Sequence, residues 1–415
     1  MTVSSSANTT GASLLSDFDF YKEFSDKRSW EPGWLLDFRK ENWEKIREVE
    51  SGLKDDRWRF SPKSRLGYSK VLGLSDYRNG IRIAGPNVDG FSLRKFDQMI
   101  LEEPDGLLHL PDLKGPELGA EESFLLARSF AEDGFCLRVE KNVRIEKPVY
   151  IDHIASGGDL AKFHLNAIEL KPFSELTMIE RISSEEACKG GGFFTNLAHV
   201  TLGEGAKLNR IVIQNLHGQC SLHHLENFDI GANASLSNIS IHLGSGQARI
   251  ESNGRLLGQG SEFENSSVAL GRDNQLFDQR TMQYHLAPNC MSRLTFKHAL
   301  AEQAKSVFSG LIKVENDAQN TNSYQTNRNL LLSDDSEADS MPGLEILANE
   351  VKCSHGATTS KIDDQELFYL LSRGISRSVA ERLIVLGFFE EVIGKISVEE
   401  QLNDVRNSIA DSFGD

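Results

Sequence analysis

Glu169-Leu170-Lys171-Pro172-Phe173-Ser174-Glu175-Leu176 decides the fold, because its pattern returns as Thr201-Leu202-Gly203-Glu204-Gly205-Ala206-Lys207-Leu208 and as Asp229-Ile230-Gly231-Ala232-Asn233-Ala234-Ser235-Leu236. In each copy an apolar residue is followed by turn formers and by a second apolar residue six positions on. Looser copies begin at Leu257, Leu286 and Val314. The leading positions 170, 202, 230, 257, 286 and 314 are separated by steps of 32, 28, 27, 29 and 28. Short strands and small turns repeating at that period describe stacked coils. A β-sandwich would show turn signals about every 8–12 residues and no long repeat. One coil cannot bury its own apolar face, so neighbours stack around a continuous interior.

The expected architecture is mainly β: a right-handed parallel β-helix over residues 135–358, flanked by N-terminal and C-terminal α-helical regions. Upstream, residues 14–134 form a helical region and connector, mainly helical over 14–110. Pro32 suits a first helical turn, and Trp34, Leu35, Phe38, Ile46 and Val49 follow at near-helical spacing. Asp55-Asp56-Arg57-Trp58-Arg59-Phe60-Ser61-Pro62 is too short for a helix and reads as a packed loop. Pro104, Gly106, Pro111, Gly115, Pro116 and Gly119 punctuate the connector. Ser/Thr-rich residues 1–13 read as a disordered leader. Downstream, residues 359–415 carry three short amphipathic helices. Asp363 with Glu366, Ser378 with Glu381 and Ser397 with Glu400 are spaced as capping boxes, and Gly374 is placed to stop the first helix. Such a cluster at the end of a stack is a cap or a docking surface.

The chain has 45 basic and 61 acidic residues, a net charge of −16. That balance argues against nucleic acid, whose phosphates require a basic footprint, and against an anionic membrane surface. No apolar run approaches the roughly twenty residues that span a bilayer. The first thirteen residues lack Lys and Arg, unlike a secretory signal. Five scattered cysteines (136, 188, 220, 290 and 353) without C-x-x-C spacing fit a reducing cytoplasm.

No G-x-x-x-x-G-K-[ST] motif occurs, so the chain is not expected to bind or hydrolyse ATP itself. His217, His223, His224 and His242 cluster in the repeat region. Adjacent His223 and His224 point to opposite faces of a strand and cannot both serve one tetrahedral metal site without a bulge. In Val351-Lys352-Cys353-Ser354-His355-Gly356-Ala357 the thiol and imidazole stand two apart on a strand pattern. They therefore share a face and can address one partner or one metal. Equally, the pair reads as a buried cysteine beside a satisfied histidine.

Val307-Phe308-Ser309-Gly310, Leu330-Leu331-Leu332-Ser333, Glu337-Ala338-Asp339-Ser340-Met341-Pro342, Leu344-Glu345-Ile346, Lys352-Cys353-Ser354-His355-Gly356-Ala357-Thr358 and Phe368-Tyr369-Leu370-Leu371-Ser372-Arg373-Gly374-Ile375 together resemble the SufB/SufD family of the SUF iron–sulfur assembly system. The resemblance is dense over 275–396 and looser upstream, where Glu31-Pro32-Gly33-Trp34-Leu35 and Trp58-Arg59-Phe60 match weakly. Cys-Ser-His-Gly looks like the SufD branch. SufB-like chains carry Glu-His-Glu-Ala-Thr there, and a cysteine where this chain has Ser336-Glu337. Thr358-Thr359-Ser360-Lys361-Ile362 is spelled in the SufB manner, which keeps a SufB-type scaffold holding the nascent cluster as an alternative.

The resemblance implies a cytoplasmic, non-catalytic scaffold subunit. Its implied partners are a SufB-type paralogue, as heterodimer, and a SufC-type ABC ATPase docked on the C-terminal helices, with no nucleic acid and no membrane. It further implies that His355, with Cys353 as helper, meets iron or a transient iron–sulfur cluster at the heterodimer interface. Neither the cluster's ligand set nor flavin binding follows from it. From another class, a β-helix polysaccharide lyase or hydrolase is disfavoured because those enzymes carry a signal peptide.

Overall fold

The computed structural model describes residues 14–46, 48–49, 55–66, 70–75, 80–107, 117–155, 157–184 and 191–413. The expected leader and residues 108–116 of the connector lie outside them. The chain opens with α1 (Phe18–Asp26) and α2 (Gly33–Ile46), continues through β1 (Gly73–Leu74), β2 (Ile81–Ala84), β3 (Phe91–Lys95) and α3 (Phe96–Glu102), and reaches α4 (Glu121–Phe130). The expectation of a mainly helical 14–110 thus misses three short strands, two of which close one end of the solenoid. β2 pairs antiparallel with the first coil at Ile151, and β3 does so at Leu137.

Eight two-strand coils follow. They are β4 (Phe135–Val139) with β5 (Val149–Ala155), β6 (Leu160–Leu170) with β7 (Glu175–Ser184), β8 (Gly192–Leu202) with β9 (Lys207–Asn215), and β10 (Cys220–Ile230) with β11 (Ser235–His242). Next come β12 (Gln247–Leu256) with β13 (Glu262–Gly271), β14 (Leu276–His285) with β15 (Met291–Leu300), β16 (Lys305–Val314) with β17 (Asn322–Leu331), and β18 (Glu337–Ile346) with β19 (Lys352–Lys361). Even-numbered strands from β4 to β18 stack parallel into one sheet and odd-numbered strands from β5 to β19 into the other. The chain is a parallel β-helix.

The repeat legible in the sequence is the corner between the two sheets. Three residues before its second inward position, the corner adopts a left-handed backbone in seven successive coils: Asn142, Phe173, Gly205, Asn233, Gly260, Asn289 and Asn320, with φ between 54° and 71°. Asn and Gly tolerate that conformation, while a residue with an ordinary Cβ is strained by roughly 1–2 kcal/mol. The amide of each corner donates to a carbonyl of the next, as Gly205 does to Ala232 (2.8 Å) and Asn233 to Gln259 (2.9 Å). Leu170, Leu202, Ile230, Leu256, His285 and Val314 form one register column. Leu257 and Leu286, expected to lead the fourth and fifth copies, stand one place later and are exposed, because the chain has already entered the turn.

The two outer faces are covered by different helical regions. On the even-numbered sheet, the Arg249 guanidinium lies 3.7 Å from the centroid of Trp58 and donates to Glu251, Asp278 and the carbonyls of Arg57 and Leu118. The 55–62 segment is therefore a packed loop pinned to the solenoid. On the other sheet, Ile179, Ile211, Ile239 and Val268 pack with Val385, Phe389, Val392 and Ile409 of the tail. That tail comprises α5 (Asp364–Ser372), α6 (Arg377–Ile393) and α7 (Glu399–Asp411). Asp363 caps α5 as expected, accepting from the amide of Gln365 (2.7 Å). The cap of α6 is Ser376, two residues before the expected Ser378, and α7 starts after Val398 with no side-chain cap.

The solenoid interior is apolar at its corners and polar at mid-strand. Arg210, fully buried, donates to Glu180 (2.5 Å), Asn238 (3.0 Å) and Glu226, and His224 Nε2 lies 2.9 Å from Glu226. His153 joins the same chain through His164 (2.8 Å) and Glu180 (3.3 Å). Burial raises the Glu226 carboxyl, but Arg210 and His224 outweigh it and hold the group at about 2. Burial pushes His242 down to about 3, helped by His224 and His298, and His285 and His298 down to about 4.

Two predictions follow from these placements. Phe173→Asn, at the one corner column position that is neither Asn nor Gly, is expected to raise stability by about 0.5–1 kcal/mol in urea unfolding. The depressed histidines bind protons more readily in the unfolded chain. Their contribution is whole above about pH 6.5 and is lost as pH falls toward 4 and then 3, and Glu226 adds a loss between about 4.5 and 2. The urea midpoint is expected to fall steadily from pH 7 to pH 4, with no gain on acidification.

Candidate functional site at the open last coil

Every inner coil has a neighbour on both sides; the coil of β18 and β19 has one. Among the described residues nothing pairs with the outer edge of either strand. The amide of Lys352 donates to the carbonyl of Thr321 (2.8 Å), which sets the alternation along β19. Backbone groups of residues 352, 354, 356 and 358 face β17, and those of Cys353, His355, Ala357 and Thr359 face the open side. In β18, Glu337 donates to Ala304 (3.1 Å) and Leu347 to Val314 (2.9 Å), so Ala338, Ser340, Pro342 and Leu344 lie on the open side. Pro342, with no N–H, sits at an edge position where the sheet loses no internal bond.

The same register fixes the side chains. Ser323, Gln325, Asn327 and Asn329 of β17 are buried and point into the solenoid. Their partners in β19 are Cys353, His355, Ala357 and Thr359, so these four line the open mouth of the interior. Asn329 Nδ2 donating to Thr359 Oγ1 (3.1 Å) ties the rim to the floor.

The structure therefore places Cys353 and His355 on one face, as their spacing implies, but in unlike surroundings. Cys353 is half-buried against Ile312, Val314, Ala318 and Ala348. Burial raises its thiol above the usual cysteine range, opposed by a hydrogen bond with the Ser323 backbone, so at neutral pH it is a thiol. His355 is exposed, and among the described residues its ring makes no hydrogen bond or ion pair. Also among the described residues, no three His, Cys, Asp or Glu side chains are grouped to hold a metal ion. Two donors on an open edge can supply part of a coordination shell and no more.

The other histidines singled out in the sequence lie on inner coils. His223 faces outward under α4, 2.5 Å from Ser123 Oγ and 3.7 Å from Glu251, whereas His224 faces inward to Glu226. The adjacent pair thus points to opposite faces, as expected. Ser123, His223 and Glu251 have the order of a hydrolytic triad, but each is buried and Glu251 is also held by Arg249 and the amide of Ala120, so no substrate reaches them. His242 lies in the interior, and His217 is exposed at a turn.

With this geometry in view, relatives become informative. The model for the SUF system FeS cluster assembly SufBD core domain matches residues 153–388. The chain belongs to the SufBD family. This SufBD chain is 32% identical over 286 residues to the iron–sulfur cluster assembly protein SufD of Escherichia coli, covering 67% of the chain and 66% of that protein. It is 26% identical over 429 residues to SufD of Bacillus subtilis (94% and 96% covered) and 29% identical over 372 residues to a SufBD family protein of Mycobacterium tuberculosis (85% and 86%). Membership supports a role in iron–sulfur cluster assembly. Among the described residues no helix is long and apolar enough to cross a membrane.

The interior network centred on Arg210 and Glu226 was not read from the sequence. Polar side chains at every second position look solvent-facing, and only coil register reveals that they face one another. The thiol gives the check on this site: with Cys353 protonated and half-buried, its alkylation by iodoacetamide at pH 7 is expected to run slower than that of a free cysteine. The rate should climb only above the ordinary thiol range.

Proposed function

We propose that this chain is a SufD-type, non-catalytic scaffold subunit of a cytoplasmic SUF assembly complex. The observation that carries this reading is the uncapped last coil. An open two-sheet edge offers backbone donors and acceptors to a second chain with a like coil, and a SufB-type paralogue is the partner whose own last coil would match it. Pairing there brings the exposed His355 to the seam, where a neutral imidazole suits iron. Cys353, protonated and packed in an apolar cluster, is a helper at most. A transient iron–sulfur cluster, or the iron for it, would be cargo at this seam, completed by ligands of the partner.

The C-terminal helices carry the second partner. Phe368 and Tyr369 on α5 are 72% and 57% exposed, and a groove of about 430 Å³ between the end of β19 and α6 is lined by Leu330, Ile362, Leu383 and Phe388 together with Lys361, Asp363 and Glu366. Large exposed aromatics on a terminal helix, with a mixed apolar and charged groove in the same tail, fit a docking surface better than a cap, and a SufC-type ABC ATPase is the family's candidate for it. This chain, having no P-loop, would leave ATP to that subunit. ATP-driven closure of the docked ATPases would then shift these helices and open the seam.

Co-purification of the full-length chain with both partner types tests the assignment. The three-component complex is expected to build clusters that this chain alone does not hold. His355→Ala is expected to leave assembly intact and lower cluster formation by about ten-fold or more. A variant complex working at full rate would remove His355 from the site. Phe368→Asp with Tyr369→Asp is expected to release the ATPase while the paralogue stays bound, measured by size-exclusion chromatography.

A further inference from the structure

We infer that Gln325 is the positioning residue of His355: its side-chain carbonyl oxygen accepts the imidazole N–H on the interior side and leaves the other ring nitrogen's lone pair at the open edge. Gln325 is fully buried on β17. Its Nε2 donates to the carbonyl of Gly310 (3.2 Å), while Oε1 has no partner among the described residues. A buried carbonyl left without a donor costs roughly 1–3 kcal/mol, so Oε1 has acceptor capacity to offer a donor that arrives.

The surroundings narrow where that donor comes from. In the coil below, the register partner of Gln325 is Leu294, which is buried and apolar. Across the interior stands Gly310, whose carbonyl already accepts from Nε2. In the coil above, the register partner is His355, on the same inward column and one strand spacing away, about 4.8 Å. The ring makes no such bond as it stands, and rotation about its own side-chain bonds would bring its N–H to Oε1. Gly310 leaves room for this amide: a Cβ there would lie 2.5 Å from Oε1 and 2.7 Å from Cδ.

The consequence is a fixed tautomer. A neutral imidazole has one N–H and one lone pair, and a metal-ligating histidine almost always donates that N–H to a second group that sets ring orientation. Without it, an exposed ring on an edge strand divides its time between tautomers and rotamers. This role rests on the reading of His355 as an iron contact, but the hydrogen bond itself can be measured without iron.

The test uses full-length chain with ¹⁵N-labelled histidines, His355 signals being those absent from His355→Ala. Wild type is expected to show one ring nitrogen protonated and the other bare. Gln325→Leu, which keeps volume and removes the acceptor, is expected to collapse the two shifts toward an average, and Gln325→Glu to keep them apart. In the assembled complex Gln325→Leu should slow cluster formation about ten-fold, with Gln325→Glu restoring most of it. An unchanged His355 spectrum in Gln325→Leu overturns the inference. Should that variant not fold, Gly310→Ala, which displaces the amide from beneath, is expected to give the same collapse, and an unchanged spectrum there overturns it equally. If Gln325→Leu shifts the tautomer but His355→Ala complexes still build clusters, the positioning stands and the iron-contact reading falls.

Discussion

Backbone pairing from coil to coil is the constraint on which everything else in this molecule depends. In a parallel stack the hydrogen bonds of one strand are completed by the next, so register fixes at once which side chains share a column and which backbone groups reach the outside. The left-handed corner positions, spaced at the coil period, keep that register from drifting. The same pairing runs out at β18 and β19, and the proposed site lies where it runs out.

The charged interior is a product of this architecture. A narrow solenoid core is crossed by facing strands at short range, so Arg210 can bond groups from the coils on either side of its own while staying buried. Removing one partner would leave an uncompensated buried charge, a change worth about 3–5 kcal/mol. Replacing the network by apolar residues would not carry that penalty, which points to alignment rather than stability as its contribution. An ion pair between coils is satisfied only in one stagger of the stack.

The sequence revealed the corners because corners need special residues, and the coil period could be read from them directly. It misplaced the fourth and fifth copies by one residue because Leu257 and Leu286 are as apolar as the column residues before them, and only the turn geometry separates the two. The strands β1 to β3 escaped because pieces of two to five residues carry no periodicity. Strand alternation put Cys353 and His355 on one face, and in the structure they share it. What alternation could not convey was their unlike environments, since Ile312 and Val314 come to Cys353 from the facing sheet. Gln325 carried no signal at all: its meaning lies in a missing side chain at Gly310 and in a register shared with a residue thirty positions on.

The two ends of the solenoid are unlike, and that difference limits growth. β2 and β3 run antiparallel to the first coil, so the edge that end presents is short and unlike the parallel edge of the last coil. A head-to-head union of two such bodies is therefore self-terminating. Unlike ends lower the fibre-forming hazard that two matching parallel edges would carry, and they leave the last coil as the open parallel edge.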